Sequence, residues 1–391
     1  MKLLEGIRIL DFTEYNCFSS FLLTEYGAEV IKVERPGGEP MRVYEPQING
    51  GSPYGTYLNR GRKSISINMR APGAADYIKE LVKDIDIVYE NFKGGTMEKY
   101  GISYEDLKQA NPNLIFASLS SYGSTGPMAQ YPGFDNISQA MSGLMDITGF
   151  QDGPPRVLGY AAGDQVSSVS TQIAILLGVL SRYRTGKGQK VESSIYESLF
   201  HATNVRLILN QLNGRHMGRK GNASLYYAPC DTFRAADGAY VAIAVTGPAH
   251  WTALCNAFQL GDWERAYPDN AARMDAYDTV IQPKLAELCS QYDTPALLEL
   301  LEANGVPNAK VKEIDEAINS TLTYQRDMLA IQPDDTIGPF IMPNRFIKRT
   351  DSEREIGSLP PVGRDTREIL ASIGVDAQKY QELIEAEIVK F

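Results

Sequence analysis

The stretch Ile7-Arg8-Ile9-Leu10-Asp11-Phe12, followed by Glu29-Val30-Ile31-Lys32-Val33-Glu34, decides the fold of this chain. Both runs are short and rich in β-branched and other apolar residues, which is typical of buried strands. The residues between them, 18–26, have the pattern of a helix. A strand, a helix and a second strand in this order predict neighbouring parallel strands of one sheet.

The same alternation continues through the first part of the chain. Further strand-like runs occupy 63–69, 85–90 and 114–120, and helical patterns near 73–83 and 104–109 separate them. We therefore predict an α/β fold with a Rossmann-like, mostly parallel sheet and helices on its faces. Ligands of such sheets bind outside the carboxyl ends of the strands, so the residues that follow each strand are the first candidates for a site.

A smaller second domain is predicted in the later part of the chain. A Gly- and Asn-rich connection at 213–222 precedes residues 230–244, which have the pattern of a hairpin with an Asp237-Gly238 turn. Helical patterns follow it. We predict a small α+β domain at 211–329 and a large domain made of 1–210 and 330–391. A last pair of helices begins near residue 364.

The composition argues against several kinds of partner. Acidic residues outnumber basic residues by 48 to 38 in a chain of 391, and no basic run is interleaved with aromatic residues, so we expect no nucleic acid. The four cysteines are scattered without a Cys-x-x-Cys pair, which favours reduced thiols in a cytoplasmic protein. No signal-peptide pattern opens the sequence, and no uninterrupted apolar stretch reaches about 18 residues, so we expect no membrane span.

Several motifs of well-known chemistry are missing. The sequence holds no Gly-x-Gly-x-x-Gly after the first strand, no Gly-x-x-x-x-Gly-Lys-Ser/Thr and no Gly-x-Ser-x-Gly. This argues against a dinucleotide site, a P-loop and a nucleophile elbow. The three histidines, His201, His216 and His250, all follow the predicted strands of the large domain. A histidine-based triad or metal site at those strand ends would need a histidine from another part of the chain. We predict no bound metal.

Asp164 stands at the start of a predicted long helix. It ends the small-residue segment Gly159-Tyr160-Ala161-Ala162-Gly163-Asp164, and apolar residues then recur every three or four positions. The periodic residues, predicted to form one buried face, are Val166, Val169, Ile173, Leu176, Leu177 and Leu180. An N-cap aspartate stays ionised because it accepts backbone hydrogen bonds at the positive end of the helix dipole. Spacing alone favours this structural cap over a nucleophile.

Seven segments of the sequence match those of a known family in content and in order. They are Leu4–Asp11, Tyr26–Glu34, Val88–Phe92, Tyr122–Pro127, Gly133–Gly143, Arg184–Gln189 and Pro360–Leu370. In these segments the chain resembles the class III CoA-transferases, also called the formyl-CoA and carnitine-CoA transferase or CaiB/BaiF family. The resemblance runs almost from end to end.

The resemblance implies covalent acyl transfer with Asp164 as the nucleophile, and so reverses the structural interpretation of this residue. The carboxylate would attack a donor thioester to form a mixed anhydride, and CoA thiolate would then convert it to an aspartyl-CoA thioester. Asn16 matches a position at which the family often carries a glutamine near the reacting carbonyl, or it caps the helix that follows. Gly221-Asn222-Ala223-Ser224 lacks the glycine run that forms a lid in some members.

The resemblance also implies where CoA binds. Positive charge is expected from Arg35, Arg70 and Lys99, and the lining of adenine and pantetheine from Tyr15, Ile67, Asn91 and Phe92. Arg35 and Asn91-Phe92 follow predicted strands, as ligand-binding residues of such sheets do. Isolated basic residues are otherwise solvated surface. Asp135 either orients substrate or CoA, or caps a turn. The implied substrates are CoA thioesters, with no permanently bound cofactor.

Two other functions stay open. The α-methylacyl-CoA racemases share the fold and carry a histidine before the aspartate that matches Asp135, but here that position is Phe134, which has no titrating group. A CoA-binding protein without turnover is the second alternative. The family further implies an interlocked homodimer. The expected partners are an acyl-CoA and a small carboxylic acid, whose identity no residue decides.

Overall fold

The computed structural model describes residues 2–15, 18–212, 214, 216–348 and 357–391. The chain divides into two compact units. The first unit comprises Met1–Leu144, Val157–Leu212 and Tyr324–Phe391, and the second unit comprises Met145–Arg156 and Asn213–Thr323.

A six-stranded sheet forms the centre of the first unit. Its strands are β1 (Arg8–Asp11), β2 (Glu29–Glu34), β3 (Lys63–Ser66), β4 (Ile87–Glu90), β5 (Ile115–Ser120) and β6 (Gln189–Ser194). Every pairing among these described strands is parallel, and the order across the sheet is β3-β2-β1-β4-β5-β6. This is the strand order of a Rossmann-like fold. The predicted α/β class and parallel sheet are confirmed.

Helices cover both faces of this sheet. Before the second unit they are α1 (Ser19–Glu25), α2 (Pro53–Asn59), α3 (Ala74–Val82), α4 (Thr96–Lys99), α5 (Tyr104–Ala110), α6 (Asp135–Met141), α7 (Ala162–Thr185), α8 (Ile195–Ala202) and α9 (Val205–Leu212). A 3-10 helix, Pro40–Val43, precedes α2. The helices predicted at 18–26, 73–83 and 104–109 are α1, α3 and α5.

Alternate residues of the central strands enter separate cores on the two faces of the sheet. In β1, Leu10 packs in the core that contains Ile78 of α3, whereas Ile9 packs in the core that contains Ile175 of α7. Successive side chains of a strand point to opposite faces, so a strand covered on both sides is apolar throughout. This explains why the consecutive residues Ile9 and Leu10 of β1 are both apolar and fully buried.

The long helix predicted after Asp164 is present as α7, but the prediction of its buried face is wrong for this chain. Val169, Ile173, Leu176, Leu177 and Leu180, here called the apolar stripe, are 42, 55, 45, 58 and 46% exposed. The opposite face, which packs on the sheet, is built mainly from small and polar residues such as Ser167, Ser168, Thr171 and Gly178. Small residues let the helix approach the strands closely: a Cβ on Gly178 would lie only 3.0 Å from Ile115 Cγ2.

The second unit has its own sheet and core. Its strands β7 (Cys230–Arg234), β8 (Tyr240–Ala244) and β9 (Asn308–Lys310) are antiparallel. Its helices are α10 (Pro248–Ala257), α11 (Gly261–Ala266), α12 (Asn270–Ala276), α13 (Gln282–Cys289), α14 (Thr294–Ala303) and α15 (Ile314–Ile318), with a π-helical turn at Tyr277–Ile281. Gly238 turns the predicted hairpin with φ of +89°, a conformation that glycine adopts readily.

The segment Met145–Arg156 lies in the second unit, although the sequence-based division assigned it to the large domain. Arg219 holds it there, because its guanidinium donates hydrogen bonds to the backbone oxygens of Phe150 (3.1 Å) and Gly153 (2.6 Å). Gly221 N also donates to the oxygen of Gly149 at 2.9 Å. These contacts join residues far apart in sequence, so no local pattern reveals them.

The C-terminal part of the first unit completes the edge of the sheet. After α16 (Thr321–Gln325) it contains the hairpin β10 (Leu329–Gln332) and β11 (Phe340–Pro343), and then α17 (Thr366–Ser372) and α18 (Ala377–Glu385), the predicted last pair of helices. Ser64 N donates to Asp365 Oδ2 at 2.7 Å, and Ser66 N donates to Thr366 Oγ1 at 3.0 Å. These side chains satisfy N–H groups that the edge strand β3 would otherwise leave unpaired.

Candidate active site

A cleft of about 380 Å³ opens at the carboxyl edge of the parallel sheet. It lies beside β1 and β4, the neighbours at which the strand order reverses. Open parallel sheets bind their ligands at this point. Three strands contribute lining residues at their ends: Glu14 and Tyr15 follow β1; Asn91, Phe92 and Lys93 follow β4; and Leu119, Ser120 and Ser121 lie at or just after the end of β5. The other lining residues are Met41, Tyr44, Tyr131, Pro132, Gly133, Phe134, Asp164 and Ile195.

Asp164 lines this cleft from the first turn of α7. The prediction that it is the N-cap is wrong, because the helix begins at Ala162 and its N-cap is Ala161. Asp164 is the third helical residue, still at the positive end of the helix dipole, where a carboxylate is stabilised in its charged form. Its side chain is half-buried, so it is both held by the protein and accessible from the cleft.

Asp135 satisfies the start of α7 from the neighbouring helix α6. Its Oδ1 accepts a hydrogen bond from Gly163 N at 2.5 Å, and its Oδ2 accepts one from Gln139 Nε2 at 2.6 Å. Gln139 Oε1 in turn accepts from Leu158 N at 3.0 Å. Asp135 thereby pairs with one of the N–H groups that a helix start leaves free, and it fixes the residue that precedes Asp164. It does not itself line the cleft.

Gly163 packs too tightly to carry a side chain. A Cβ at this position would lie 2.6 Å from Ile195 Cγ2 and 2.7 Å from Asp135 Oδ1. Both distances are shorter than van der Waals contact, so a side chain here would displace its neighbours. The sequence Gly163-Asp164 therefore combines a close helix contact with a carboxylate in the cleft.

Tyr54 is a second group near Asp164, and no sequence pattern singled it out. Burial raises the pKa of Tyr54 well above its ordinary value, and the negative charge of Asp164 raises that pKa further. A tyrosine with a raised pKa keeps its proton and remains a hydrogen-bond donor. It packs against Phe18 and Tyr44, which hold the ring in place. Because α2 carries it, the rule that directs attention to strand ends misses it.

Of the residues predicted to line the CoA site, Tyr15, Asn91 and Phe92 line the same cleft as Asp164. Tyr15 and Phe134 meet edge to face with ring centroids 6.3 Å apart, and they are 46 and 60% exposed. Phe92 lines the same cleft while it packs against the core below. Asn91 lies beside it, with its amide bonded to the backbone of Glu14. Exposed aromatic rings in a concave site are suited to contact a ligand.

The three cations expected to bind CoA lie outside the cleft lining. Arg35 directly follows β2 and is half exposed, with its Nε 3.7 Å from Glu14 Oε1. Arg70 is fully exposed and hydrogen-bonds Tyr100. Lys99 is an exposed residue at the end of α4. All three are therefore accessible to a ligand that extends beyond the cleft.

Lys93 and Glu14 are charged residues of the lining that the sequence analysis did not select. Lys93 is exposed and follows β4 directly after Asn91 and Phe92, so the strand-end rule could have found it. Burial raises the pKa of Glu14, and the positive charge of Arg35 offsets only part of that effect. The cleft thus contains two carboxylates in different surroundings: Glu14 lies near Arg35, and Asp164 lies in the first turn of α7.

Ile67 and Asn16 are the remaining predicted site residues. Ile67 is 1% exposed and packs in the core with Ile65 and Ile78, so its side chain does not line the cleft. Its part in binding adenine or pantetheine stays a prediction. Ile67 follows the end of β3 two positions after Ile65, and both side chains enter the same core. Asn16 lies outside the described residues, and its predicted role stays a prediction.

A buried charge network supports the loop that carries Tyr15. Asp11, at the end of β1, accepts hydrogen bonds from Thr13 N at 2.7 Å, Ser20 Oγ at 2.6 Å and Arg62 Nη1 at 3.1 Å, with Lys32 Nζ 3.5 Å away. Burial alone would raise the pKa of Asp11, but the charges of Lys32 and Arg62, together with the hydrogen bonds from Ser20 and Thr13, hold the pKa below its ordinary value. A buried network of this kind is rigid because losing one partner leaves a charge unpaired.

Within the described ranges, no cluster of three His, Cys, Asp or Glu side chains could hold a metal ion. Within the same ranges, no helix is both long and apolar enough to cross a membrane.

Comparisons with known proteins agree on one family. The sequence model described as CoA-transferase family III matches residues 4–366. The chain is 35% identical over 389 residues to the succinyl-CoA:mesaconate CoA-transferase of Haloarcula marismortui, covering 96% of this chain and 98% of that protein. It is 35% identical to the acetyl-CoA:oxalate CoA-transferase of Acetobacter aceti, covering 83% and 85%. A crystal structure of a CaiB/BaiF family protein from Brucella suis superposes with a TM-score of 0.80 at 28% identity, covering 95% of this chain and 99% of that one.

Proposed function

The chain belongs to CoA-transferase family III, and from that membership we propose that Asp164 is the nucleophile that receives the acyl group from an acyl-CoA donor. The observation that carries this proposal is the position of Asp164, whose half-buried carboxylate lines the cleft at the carboxyl edge of the sheet. A nucleophilic carboxylate must be ionised and must be within reach of the thioester. The positive end of α7 favours the first condition, and the cleft favours the second.

The proposed reaction consists of successive acyl transfers. An Asp164 oxygen attacks the thioester carbonyl of the donor, the C–S bond breaks, and CoA leaves as a thiolate from a mixed anhydride. The thiolate attacks the aspartyl carbonyl, which releases the donor acid and leaves an aspartyl-CoA thioester. The acceptor carboxylate then attacks this thioester and expels the thiolate, which finally attacks the acceptor carbonyl and frees Asp164. Each addition develops an oxyanion that needs preset donors, and Asn16 is the proposed one.

Residues around the cleft have distinct proposed roles. Tyr15 and Phe92 contact the adenine and pantetheine of CoA, because both are cleft-lining rings. The phosphates of CoA pair with Arg35, Arg70 and Lys99. Asp135 acts through the backbone of Gly163, which it holds at 2.5 Å, rather than by contact with the reacting atoms.

The proposed acceptor is a short dicarboxylic acid. The relatives from Haloarcula marismortui and Acetobacter aceti are named for mesaconate and oxalate, which are both dicarboxylic acids. In this chain the exposed Lys93 of the cleft lining is the proposed partner of the second carboxylate. The donor proposed is succinyl-CoA, as in the name of the Haloarcula relative.

The apolar stripe of α7 supports a homodimer. Five large aliphatic side chains along one helix face form a continuous patch, and patches of this kind mark interaction surfaces. We propose that a second copy of the chain covers the stripe, in the interlocked arrangement that the family resemblance implies. The proposed location is the cytoplasm, where the thiols of Cys230, Cys255 and Cys289, which are free in the structure, stay reduced.

The racemase alternative has less support. Proton exchange next to a thioester needs a titrating group at the reacting carbon. Phe134, which occupies the position of the racemase histidine, presents only an aromatic ring to the cleft. Both curated relatives named above are transferases.

The proposal is tested by trapping the intermediate. The protein is incubated with succinyl-CoA, quenched in acid and digested, and the peptide that contains Asp164 is examined by mass spectrometry. We expect the mass of a CoA thioester, or of its hydroxamate after treatment with hydroxylamine, on this peptide alone.

Two variants give the trapping experiment its controls. Asp164→Asn keeps the shape of the side chain but removes the nucleophilic oxygen, so it should show no adduct. Asp84→Asn changes an exposed carboxylate before β4, at the opposite edge of the sheet, and should label like the unmodified protein. An adduct on another residue, or none together with exchange of the α-proton of an acyl-CoA, would overturn the proposal.

A further inference from the structure

Asn91 reaches the cleft with an amide that is already engaged. Glu14 N donates to Asn91 Oδ1 at 2.8 Å, and Asn91 Nδ2 donates to the backbone oxygen of Glu14 at 2.7 Å. One side chain thus pairs with both the donor and the acceptor of a single residue, 77 positions away in sequence. Two good hydrogen bonds between planar groups fix orientation as well as distance.

The contact joins the loops that leave the two strands at the reversal of strand order. β1 and β4 run parallel as neighbours, with Asp11 opposite Tyr89. Beyond those residues the strand pairing ends, and the backbone groups of the next residues need other partners. Asn91 supplies them for Glu14, so it continues the tie between the two strands into the cleft.

The residue after Glu14 is held in an uncommon backbone conformation. Tyr15 has φ of +59°, in the left-handed region that non-glycine residues rarely adopt. Such a conformation persists only where the surroundings determine it, and it occurs preferentially at functional sites. Two contacts flank it here: the Asn91 amide on Glu14, and the Glu39 carboxylate, which accepts from Tyr15 N at 3.4 Å.

The turn that carries Asn91 is itself fixed from below. Glu90, 5% exposed, accepts a hydrogen bond from Phe92 N at 2.7 Å and another from the hydroxyl of Ser118 on β5. The amide of Asn91 therefore projects from a turn anchored to the next strand. The hydrogen bonds between Asn91 and Glu14 are therefore made from a fixed turn.

Glu14 connects this clamp to groups expected to bind CoA. Its carboxylate lies 3.7 Å from Arg35, and its backbone leads directly into Tyr15. Moving Glu14 would move the ring of Tyr15 and release the guanidinium of Arg35 together. We propose that Asn91 is a positioning residue, whose amide clamps Glu14 and so sets Tyr15 and Arg35 for CoA, instead of binding CoA by contact. The part that concerns CoA rests on the proposed function.

The clamp is tested first in the protein without ligand, by hydrogen exchange at the backbone amide of Glu14. Asn91→Ala removes both hydrogen bonds, and Asn91→Asp keeps the acceptor but turns an oxygen toward the oxygen of Glu14. Both variants should exchange this amide about tenfold faster or more. Unchanged exchange in both variants would overturn the clamp.

Asn111→Ala is the matched control. Asn111 also makes two side-chain hydrogen bonds to backbone, to the oxygens of Val82 (3.0 Å) and Ile85 (2.8 Å), but at the opposite edge of the sheet. Its removal should cost similar stability in thermal unfolding. It should leave the exchange at Glu14 and the affinity for CoA unchanged, which separates a local clamp from general loosening.

The route by which Asn91 acts on CoA is tested with a double-mutant cycle measured by calorimetry. If Asn91 acts through Tyr15 and Arg35, Asn91→Ala should weaken CoA binding about tenfold in the unmodified protein but little in the Tyr15→Ala Arg35→Ala background. If Asn91→Ala weakens CoA binding equally in both backgrounds, and the unmodified protein binds CoA, the indirect route is overturned while the transferase proposal stays intact. Faster exchange at Glu14 without any CoA binding would uphold the clamp and contradict the proposed function.

Discussion

At the scale of single residues, Glu90 is a buried titrating group next to the cleft lining. Its carboxyl is buried at the end of β4, directly before the two lining residues Asn91 and Phe92. Burial raises its pKa from 4.5 to about 7, although the hydrogen bonds from Ser118 and Phe92 N favour the charged form. The folded chain therefore binds this proton more tightly than the unfolded chain does.

The raised pKa of Glu90 predicts a pH dependence of stability. Its contribution is fully present below about pH 4.5 and is lost as the pH rises to about 7, since only the unfolded state has released the proton over most of that window. The full effect corresponds to roughly 3 kcal/mol. Glu90→Gln keeps the shape and cannot ionise. Its melting temperature relative to the unmodified protein should therefore rise between pH 5 and pH 8.

Glu105→Gln, at an exposed position of α5, is the control for this measurement and should show no such trend. A difference in melting temperature between Glu90→Gln and the unmodified protein that stays constant over the whole pH range would contradict the buried, protonated Glu90.

At the scale of elements, the contact between α6 and α7 determines where Asp164 lies. Asp135 of α6 accepts from Gly163 N at 2.5 Å, and Gly163 also packs against Ile195 of α8. Three helices therefore meet at the residue before the proposed nucleophile. A shift of the start of α7 by about 1 Å would be enough to misalign a reacting group.

Gly163→Ala should disturb this junction. The added methyl would lie within 2.7 Å of both Ile195 Cγ2 and Asp135 Oδ1, so we expect a loss of about 1–3 kcal/mol in the free energy of unfolding. Transferase kcat should fall about tenfold or more because Asp164 moves. Denaturant unfolding and steady-state kinetics measure the two effects.

Gly159→Ala is the matched control for the junction, since a Cβ at Gly159 meets nothing within 4 Å. It should leave both stability and kcat nearly unchanged. Full activity of Gly163→Ala would show that the start of α7 tolerates the displacement, and would contradict the role given to this contact.

Much of the sheet could be predicted from sequence because its central strands are buried on both faces. The run predicted at Glu29–Glu34 has the bounds of β2, and the others agree within a few residues. β6 was missed because it is an edge strand whose residues Gln189–Ser194 are mostly polar, and all of them except Ser194 are half-exposed or exposed. An edge strand buries few side chains, so its sequence needs few apolar residues and gives only a weak strand pattern.

The site could be predicted only where it follows from strand ends or from the family resemblance. Tyr15, Asn91 and Phe92 follow β1 and β4 and do line the cleft with Asp164. Ile67 is not part of the lining, because its side chain packs in the core just beyond β3. The bond of Asp135 to Gly163 and the closeness of Tyr54 to Asp164 depend on tertiary packing, which no local pattern encodes.

At the scale of the whole molecule, the apolar stripe of α7 is the feature that one chain does not explain. Apolar residues at helical spacing predicted burial, yet the sheet-facing side of α7 is small and polar. The helical spacing of the apolar stripe was predicted correctly, but the sheet is not the surface that covers it. The proposed second copy of the chain would account for both observations, because association would bury the stripe without requiring the helix to rotate.

Leu177→Asp should weaken the proposed dimer. Leu177 is 58% exposed in one chain, so an aspartate there costs the monomer little, but a second copy would have to bury an unpaired charge. Sedimentation equilibrium should give a dimer for the unmodified protein and a larger monomer fraction for the variant, with helix content unchanged by circular dichroism.

Ile314→Asp replaces an exposed apolar residue of the second unit and serves as the control, with the dimer retained. A monomeric unmodified protein, or a variant that dimerises equally well, would contradict the role of the stripe.

The central claim, acyl transfer through Asp164, is tested most directly by following oxygen. In the proposed sequence the acceptor acid attacks the aspartyl thioester, so one of its carboxylate oxygens remains on Asp164 when the new acyl-CoA departs. The protein is turned over with succinyl-CoA and succinate labelled with oxygen-18, and the Asp164 peptide is analysed by mass spectrometry. The account predicts heavy oxygen in the Asp164 carboxylate after turnover. Continued turnover with an unlabelled Asp164 would contradict it.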